Sequence, residues 1–397
     1  MKKARPVAVA KATTPESPVK EAHRDIDSKV RLQLFVVAGG RCEFVGCNKY
    51  LMEHHLTLTP GNFAQAAHVV AFKDNGPRGN DPDRPENIND ISNLMLLCPG
   101  CHKLIDDDPA DHPRSKLEAY KEEHEKRIKL VTSLGPEMKT SIIVFKTPIR
   151  GQDVAIAKED ISRAINPRYP ASLPGTIIDT GTLAGAPEDG NFINIVQAKI
   201  GRDLQYLFQT GGEAVNVPHL SIFAIGPIAL LIELGSKLSN KIPTDFYQRH
   251  RDTEDWVWKT DGAPAEYEII SHQKKKNPDA PVALILSLSG AVKKETLPRE
   301  FLETGSIYEI TLKGQTPSTG FLRQRSDLEA FGGIYREMLA MITREHGPVE
   351  KIALFSAIPA PVAVMCGRER LPKVHPALSV YDYDRATGGF NFQLEVS

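Results

Sequence analysis

The sequence predicts an α/β protein of two parts, and three observations predict it. Four of the five cysteines fall in two close pairs, Cys42/Cys47 and Cys98/Cys101. Beyond Gly135-Pro136, strand-like and helix-like segments alternate, which argues for parallel α/β layering. Within that region one pattern recurs. Leu220-Ser221-Ile222-Phe223-Ala224-Ile225-Gly226-Pro227 precedes an apolar helix and then Asp245-Phe246-Tyr247. Ala353-Leu354-Phe355-Ser356-Ala357-Ile358-Pro359-Ala360-Pro361 likewise precedes a helical stretch, Gly367 and then Ser379-Val380-Tyr381. In both, a strand meets a proline that opens the next helix. A repeat of this kind predicts two Rossmann-like lobes with a cleft between them at the strand ends.

At 397 residues the chain is too long for one ordinary core. It has no apolar run of transmembrane length, so no membrane partner is expected. Lys2, Lys3, Arg5, Lys11 and Lys20 mark the start of the chain, without an apolar core segment. Residues 1–28 therefore read as a disordered basic tail and not as a signal peptide. Paired cysteines at metal spacing, with Cys366 left over, fit a reducing compartment, and the cytoplasm is expected. Net charge is only −1. A protein that grips DNA tightly usually carries excess Lys and Arg, so a local patch or several cooperating copies would have to supply the grip.

Taking the elements in order, Val30, Leu32, Leu34 and Phe35 predict a short helix stopped at Ala38-Gly39-Gly40. A metal-rich module follows, to about Asp108. Leu117, Tyr120, His124 and Ile128 then mark a helix that ends before Gly135-Pro136, which places one domain at 29–134 and another at 135–397. In the second domain, 141–145, 219–225, 281–288, 306–311, 351–357 and 378–383 read as strands. Residues 156–165, 228–238 and 326–344 read as helices, the last with Leu328, Phe331, Tyr335, Leu339 and Ile342 on one face.

The two cysteine pairs have C-x4-C and C-x2-C spacing and are flanked by the turn residues Gly46 and Pro99-Gly100. Four thiolates fill a tetrahedron and leave no open position, so Cys42, Cys47, Cys98 and Cys101 are expected to hold a structural Zn2+. Between and beside them stand His68 in an apolar strand at 67–72, Asn93 in a loop, and His102 at the start of a helix. A lone histidine in an apolar strand is most often a satisfied core residue, and only its companions change that reading. The paired His54-His55 reads as ordinary surface.

This set resembles the HNH endonuclease motif, a ββα-metal unit that cuts nucleic acid. The resemblance covers roughly 41–128. Its motifs are Gly61-Asn62-Phe63, Ala67-His68-Val69, Gly76-Pro77-Arg78-Gly79, Asn93-Leu94-Met95-Leu96-Leu97-Cys98 and Cys101-His102-Lys103-Leu104-Ile105-Asp106. It implies that His68 takes a proton from the attacking water, a task for a group titrating near neutral pH. It implies that Asn93 holds that imidazole in one tautomer. It also implies Mg2+ or another divalent cation at the scissile phosphate, held by His102. Asp106, four residues on, shares the helical face of His102. Many such domains carry Asp or Glu directly before the base histidine. Here that residue is Ala67, which passes the ligand role to Asp106.

The second domain shows no Walker loop, GxGxxG after a strand, HExxH or GxSxG, so no second catalytic centre is expected. Several features suit a nucleotide. Ser287-Leu288-Ser289-Gly290 ends an apolar strand where backbone N–H groups can meet phosphate. Trp256 and Trp258 suit base stacking, and Arg323 and Arg325 suit phosphate pairing. Each also has an ordinary reading, as helix cap, core filler or solvated cation. Together with Ile307-Tyr308-Glu309-Ile310-Thr311, Asp327-Leu328-Glu329-Ala330-Phe331, Phe355 to Pro361 and His375-Pro376-Ala377-Leu378, they resemble a SAVED domain.

That resemblance implies two fused CARF-like lobes sensing a cyclic oligonucleotide, with Pro359 in the ligand set. The fold class expected is thus a small zinc-stabilised HNH domain followed by a two-lobed SAVED domain. An HNH module joined to SAVED resembles the effector nucleases of CBASS anti-phage defence, in which a cyclic dinucleotide or trinucleotide switches on degradation of double-stranded DNA. One HNH site cuts one strand, so a ligand-dependent homo-oligomer is expected. Two other readings stand beside this one. In one, an HNH restriction enzyme reads DNA sequence or modification through its C-terminal domain. In the other, a zinc module binds without catalysis, which the intact His68, Asn93 and His102 set argues against.

Overall fold

A computed structural model of the chain describes residues 25–148, 155–181, 183, 190–212, 214–238, 240–275, 277, 280–385 and 388–397. Most of the basic tail, including Lys2, Lys3, Arg5, Lys11 and Lys20, lies outside the described residues. The chain divides into two units, Met1–Ser133 and Leu134–Ser397.

In the first unit, α1 (Ser28–Val37) is capped by the Asp27 carboxylate, which accepts from Lys29 N. A two-stranded antiparallel sheet follows, β1 (Gln65–His68) paired with β2 (Leu94–Leu97), with His68 opposite Leu94. The strand is shorter than the apolar stretch 67–72 suggests, and His68 is its last residue. The backbone then turns away, because Val69 and Val70 bond to Asn93 and not to a continuing strand. Then come α2 (Pro99–Asp107) and α3 (Arg114–Thr132). Leu34, Ala67, Leu94 to Leu97, Ile105 and Leu117 form a small core around the cysteines. So small a core is why a metal staple is expected to matter for stability.

The second unit opens with β3 (Lys139–Lys146), α4 (Lys158–Ala164), β4 (Tyr169–Pro170), β5 (Thr176–Asp179), α5 (Gly190–Phe208), β6 (Leu220–Ile225), α6 (Ile228–Lys237) and β7 (Thr244–Tyr247). These make a five-stranded sheet in order β4-β3-β6-β7, with β5 also on β3 and every pairing parallel. The remainder is β8 (Tyr267–Gln273), β9 (Val282–Ser287), α7 (Arg299–Thr304), β10 (Ser306–Leu312), α8 (Arg325–His346), β11 (Lys351–Ala357), α9 (Ala360–Glu369), β12 (Ala377–Asp384) and β13 (Gly389–Val396). They form a six-stranded sheet in order β13-β12-β11-β9-β10-β8, parallel in the middle with an antiparallel strand at each edge.

The repeat seen in the sequence is the symmetry of this unit. β6, Pro227 and α6 in one lobe correspond to β11, Pro359 and α9 in the other, and the two helices pack on each other at the centre. Each also reaches the opposite lobe's sheet, α6 touching β12 and β13, and α9 touching β6 and β7. One apolar core spans both lobes as a result, running from Ile143 and Phe145 through Leu231 and Val364 to Val380. Burying both faces of parallel strands explains why 220–225, 282–287 and 352–356 are almost wholly apolar. Among the described residues, no helix is long and apolar enough to cross a membrane.

Candidate nuclease centre and nucleotide pocket

The four predicted cysteines meet. The sulfurs of Cys42, Cys47, Cys98 and Cys101 all lie within 4.8 Å of one another, and those of Cys47 and Cys98 are 4.0 Å apart. Zn–S bonds of about 2.3 Å in a tetrahedron put sulfurs about 3.8 Å apart, so the donor set fits the ion. Gly46 supplies the tight turn between the first pair with φ of +76°. Cys98 also caps α2, its sulfur accepting from Cys101 N, and Cys98 N donates to Cys42 Sγ. Burial pushes the Cys42 thiol up to about 12 and raises Cys101 as well. Burial acts upward on Cys98 too, but hydrogen bonds from Cys101 and the neighbouring thiols hold it below its ordinary value. A divalent cation would relieve the crowding of these sulfurs by binding all four as thiolates.

One turn along α2, His102 and Asp106 face the same cleft as His68. That cleft has a volume of about 690 Å³, and its lining includes Arg31, Gln65, His68, Lys73, His102 and Asp106. His102 Nε2 lies 3.3 Å from Asp106 Oδ2, a spacing that lets one cation touch both. His102 Nδ1 is 2.7 Å from Gln65 Oε1, and His68 Nε2 is 2.8 Å from Asn89 Oδ1. Arg31 and Lys73 have no ion pair among the described residues. A cleft that brings together two cations without an ion pair among the described residues, a histidine and a histidine–carboxylate pair has the parts for metal-assisted phosphodiester hydrolysis.

The structure corrects the role expected of Asn93. Its side chain does not touch His68. It is buried, with Oδ1 accepting from Val70 N at 2.9 Å and Nδ2 donating to Val70 O and Ile88 O. Asn93 therefore pins the segment that leaves β1 to the segment that enters β2, and Asn89 is the residue that meets the imidazole.

Sequence reasoning also left Arg78 without a role. Its guanidinium, 6 % exposed, donates to Val69 O, Ile105 O and His112 O and pairs with Asp106 Oδ1 at 3.5 Å. It ties the end of β1 to α2 and so fixes the spacing of His68 from Asp106. The Gly-Pro-Arg-Gly string was its only trace in the sequence.

In the second unit a pocket of about 350 Å³ lies where strand ends of both lobes converge. Its lining includes Gly226 after β6, Arg249 and Arg251 after β7, Ser289 after β9, and Pro359 at the cap of α9. Gln248 lines it as well, with Oε1 buried and lacking a hydrogen-bond partner. Of the expected nucleotide-binding residues, the structure brings Ser289 and Pro359 here and puts the others elsewhere. Trp256 is a correction. It is 2 % exposed and packs edge-on against Phe223 at 5.3 Å, so it fills the core and offers no free face to a base.

Trp258 is half-buried against His250. Ser287 is buried and accepts from Val292 N. Gly290, next to Ser289, is not among the lining residues, and a Cβ on it would lie 3.8 Å from that of Ala357. Arg323 is paired with Asp252 and Asp261, and Arg325 with Asp245 and Glu329. Salt-bridged arginines are poor candidates for phosphate. Arg249 and Arg251, which have no ion pair among the described residues, face the pocket instead.

Comparison with known proteins agrees with this division. Residues 42–108 match the family model of the HNH endonuclease. Residues 202–396 match the model of the SMODS-associated and fused to various effectors sensor domain, or SAVED. No curated protein matches the chain. Among solved structures, the Acinetobacter baumannii Cap4 SAVED/CARF-domain containing receptor with the cyclic trinucleotide 3'3'3'-cAAA is similar at 13 % identity and a TM-score of 0.45. That receptor with 2'3'3'-cAAA gives 13 % and 0.42. Each match covers 78 % of this chain and 64 % of the other, so this chain spans less than two thirds of those receptors. The Moraxella osloensis Cap4 receptor is similar at 12 % identity and a TM-score of 0.40, over 75 % of this chain and 58 % of that one. The chain therefore carries an HNH endonuclease domain at residues 42–108 and a SAVED sensor domain at residues 202–396.

Proposed function

We propose that this protein is a metal-dependent DNA endonuclease switched on by a cyclic dinucleotide or trinucleotide, acting in the cytoplasm as an effector of CBASS-type anti-phage defence. The observation that carries the reading is the meeting of His68, His102 and Asp106 in one cleft with Arg31 and Lys73, which have no ion pair among the described residues. Arg31 and Lys73 hold backbone phosphates of double-stranded DNA. His68 accepts a proton as water attacks the scissile phosphorus and the bond to the leaving oxygen breaks. His102 and Asp106 would hold Mg2+ or a similar ion, which would supply charge neutralisation at that phosphate. The Cys42, Cys47, Cys98 and Cys101 site holds structural Zn2+ and keeps α2 against β2.

The interlobe pocket is the receptor for the nucleotide. Arg249 and Arg251 meet its phosphates, and the α9 cap at Pro359 and the backbone at Ser289 line its path. A ligand gates activity only by binding one lobe arrangement better than another. With one nuclease site per chain, a double-strand break calls for two copies. Ligand-driven assembly of a homo-oligomer is therefore part of the reading, and pairing adds phosphate contacts that a near-neutral chain lacks.

The test is plasmid incubated with protein and Mg2+, with and without a panel of cyclic nucleotides, alongside light scattering. Cutting that appears with one panel member, together with a rise in mass, supports the reading. Cutting at the same rate without any nucleotide, or by a particle that stays monomeric, overturns the gating or the assembly.

A further inference from the structure

We propose that two carboxamide side chains, Asn89 and Gln65, fix the two cleft histidines in opposite tautomers, so that His68 offers Nδ1 as base and His102 offers Nε2 as ligand. The inference deepens the nuclease reading above and rests on it for what the tautomers are used for, but not for the tautomers themselves.

An amide oxygen only accepts hydrogen bonds, so a ring nitrogen facing it carries the proton. Asn89 Oδ1 lies 2.8 Å from His68 Nε2, which puts the proton on Nε2 and leaves Nδ1 the basic atom of a neutral ring. Gln65 Oε1 lies 2.7 Å from His102 Nδ1, which puts the proton there and leaves the lone pair on Nε2. That lone pair sits 3.3 Å from Asp106 Oδ2. Two acceptors so placed repel unless a proton or a metal cation lies between them, and with the ring neutral this geometry presents both to a metal.

The framework explains why the two amides can be held to this job. Gln65 and His68 are the first and last residues of β1. Asn89 directly follows Ile88, whose carbonyl accepts from the buried Asn93 side chain at 2.9 Å. Asn93 thus acts on His68 through Asn89, as a clamp on the loop that carries it. Asn89 and Gln65 are positioning residues.

The experiment is a long-range 1H–15N correlation spectrum of the histidine rings in full-length, 15N-labelled, zinc-loaded protein without DNA. It is recorded at about pH 8, above the usual imidazole range, and assigned with His68→Gln and His102→Gln. The expected wild-type result is Nε2–H for His68 and Nδ1–H for His102. Asn89→Leu is expected to leave the melting temperature in place and make His68 a tautomer mixture. Its kcat should fall about 10-fold to 100-fold at constant KM, part of the ~10²–10⁴ that a positioned base supplies. Asn89→Asp restores the single tautomer and most of kcat.

Gln65→Leu is expected to mix the His102 tautomers and weaken Mn2+ binding, measured by calorimetry, about 10-fold to 100-fold, with Gln65→Glu restoring both. Nδ1–H on His68 or Nε2–H on His102 in the wild type overturns the proposal, as does an unchanged tautomer in either Leu variant. A protein with the expected tautomers that cuts no DNA under any nucleotide overturns the nuclease reading and leaves this assignment standing.

Discussion

Gly235 of α6 and Gly367 of α9 occupy equivalent places in the two lobes, each eight residues beyond its proline cap, and each presses its bare Cα side against the other helix. A Cβ on Gly235 would lie 1.9 Å from Val364 O, and a Cβ on Gly367 would lie 1.9 Å from Ile232 O. The two helices thus cross backbone to backbone at the pseudo-two-fold axis. Neither glycine is at a positive φ among the described residues, so the constraint is contact and not conformation.

Gly235→Ala and Gly367→Ala are each expected to force the seam apart and destabilise the sensor domain, at the upper end of the ~1–3 kcal/mol typical of overpacking. The double variant is expected to cost less than the sum, since the first methyl opens the gap that the second would need. Urea titrations of the three variants measure this. Wild-type midpoints in both single variants would show that the crossing is looser than described.

Replacing Cys98 by Ser is expected to release the zinc and unfold the nuclease domain, because Cys98 is both one of the four sulfurs placed to hold the ion and the cap of α2. The sensor domain has its own core and is expected to melt at its usual temperature. Metal analysis with calorimetry separates the two transitions. A zinc-free Cys98→Ser protein with both transitions intact would rule out the structural role.

Much of this was legible in the sequence, and what was not has physical causes. The cysteine pairs, His68, His102 and Asp106 sit at fixed spacings on short elements, so spacing alone nearly places them. Asn93 was legible as part of a motif but not in its action, since spacing does not say which way an amide points. Trp256 offered both a stacking and a core-filling reading, and only the fold decides between them, its indole completing the core beside Phe223 and Ile142. Arg249 and Arg251 carry no motif. They become visible only when the chain after β7 folds beside Pro359. The edge strands β8 and β13 also escaped, because a strand paired on one side keeps polar residues such as Ser271, His272, Asn391 and Gln393.

The reassignment of the pocket separates two sets of variants. Arg249→Ala and Arg251→Ala are each expected to weaken cyclic-nucleotide binding by about 1.5–3 kcal/mol, the worth of a hydrogen bond to a charged group, with no change in melting temperature. Trp256→Ala is expected to lower stability by about 3–5 kcal/mol, as for other buried aromatic truncations. Isothermal titration and thermal melts read the two effects. Full nucleotide affinity in both arginine variants would return the search to other cations.

Asp245 is expected to make the sensor domain acid-sensitive. It is buried, which alone would raise its pKa, but His219 at 3.4 Å, Arg325 and Arg168 hold it below its ordinary 3.8. A carboxylate depressed in the folded state stabilises fully above its unfolded pKa and loses that contribution as pH falls through the folded one. The stability gap between wild type and Asp245→Asn is therefore expected to be constant above about pH 5 and to close below pH 3.8. Denaturation midpoints against pH measure it. A gap that persists unchanged at the acid end would remove Asp245 from the account.

The central claim is that a nucleotide in the SAVED pocket turns on chemistry at His68, and one measurement tests it most directly. Plasmid cleavage by wild type and by His68→Ala is followed against the concentration of the activating cyclic nucleotide, with nucleotide binding measured on the same samples. The account predicts no cutting by wild type without nucleotide and saturable cutting with it. For His68→Ala it predicts unchanged nucleotide affinity, zinc content and fold, and no cutting at any concentration. Cleavage by folded His68→Ala at the wild-type rate, or wild-type cleavage indifferent to nucleotide, would contradict it.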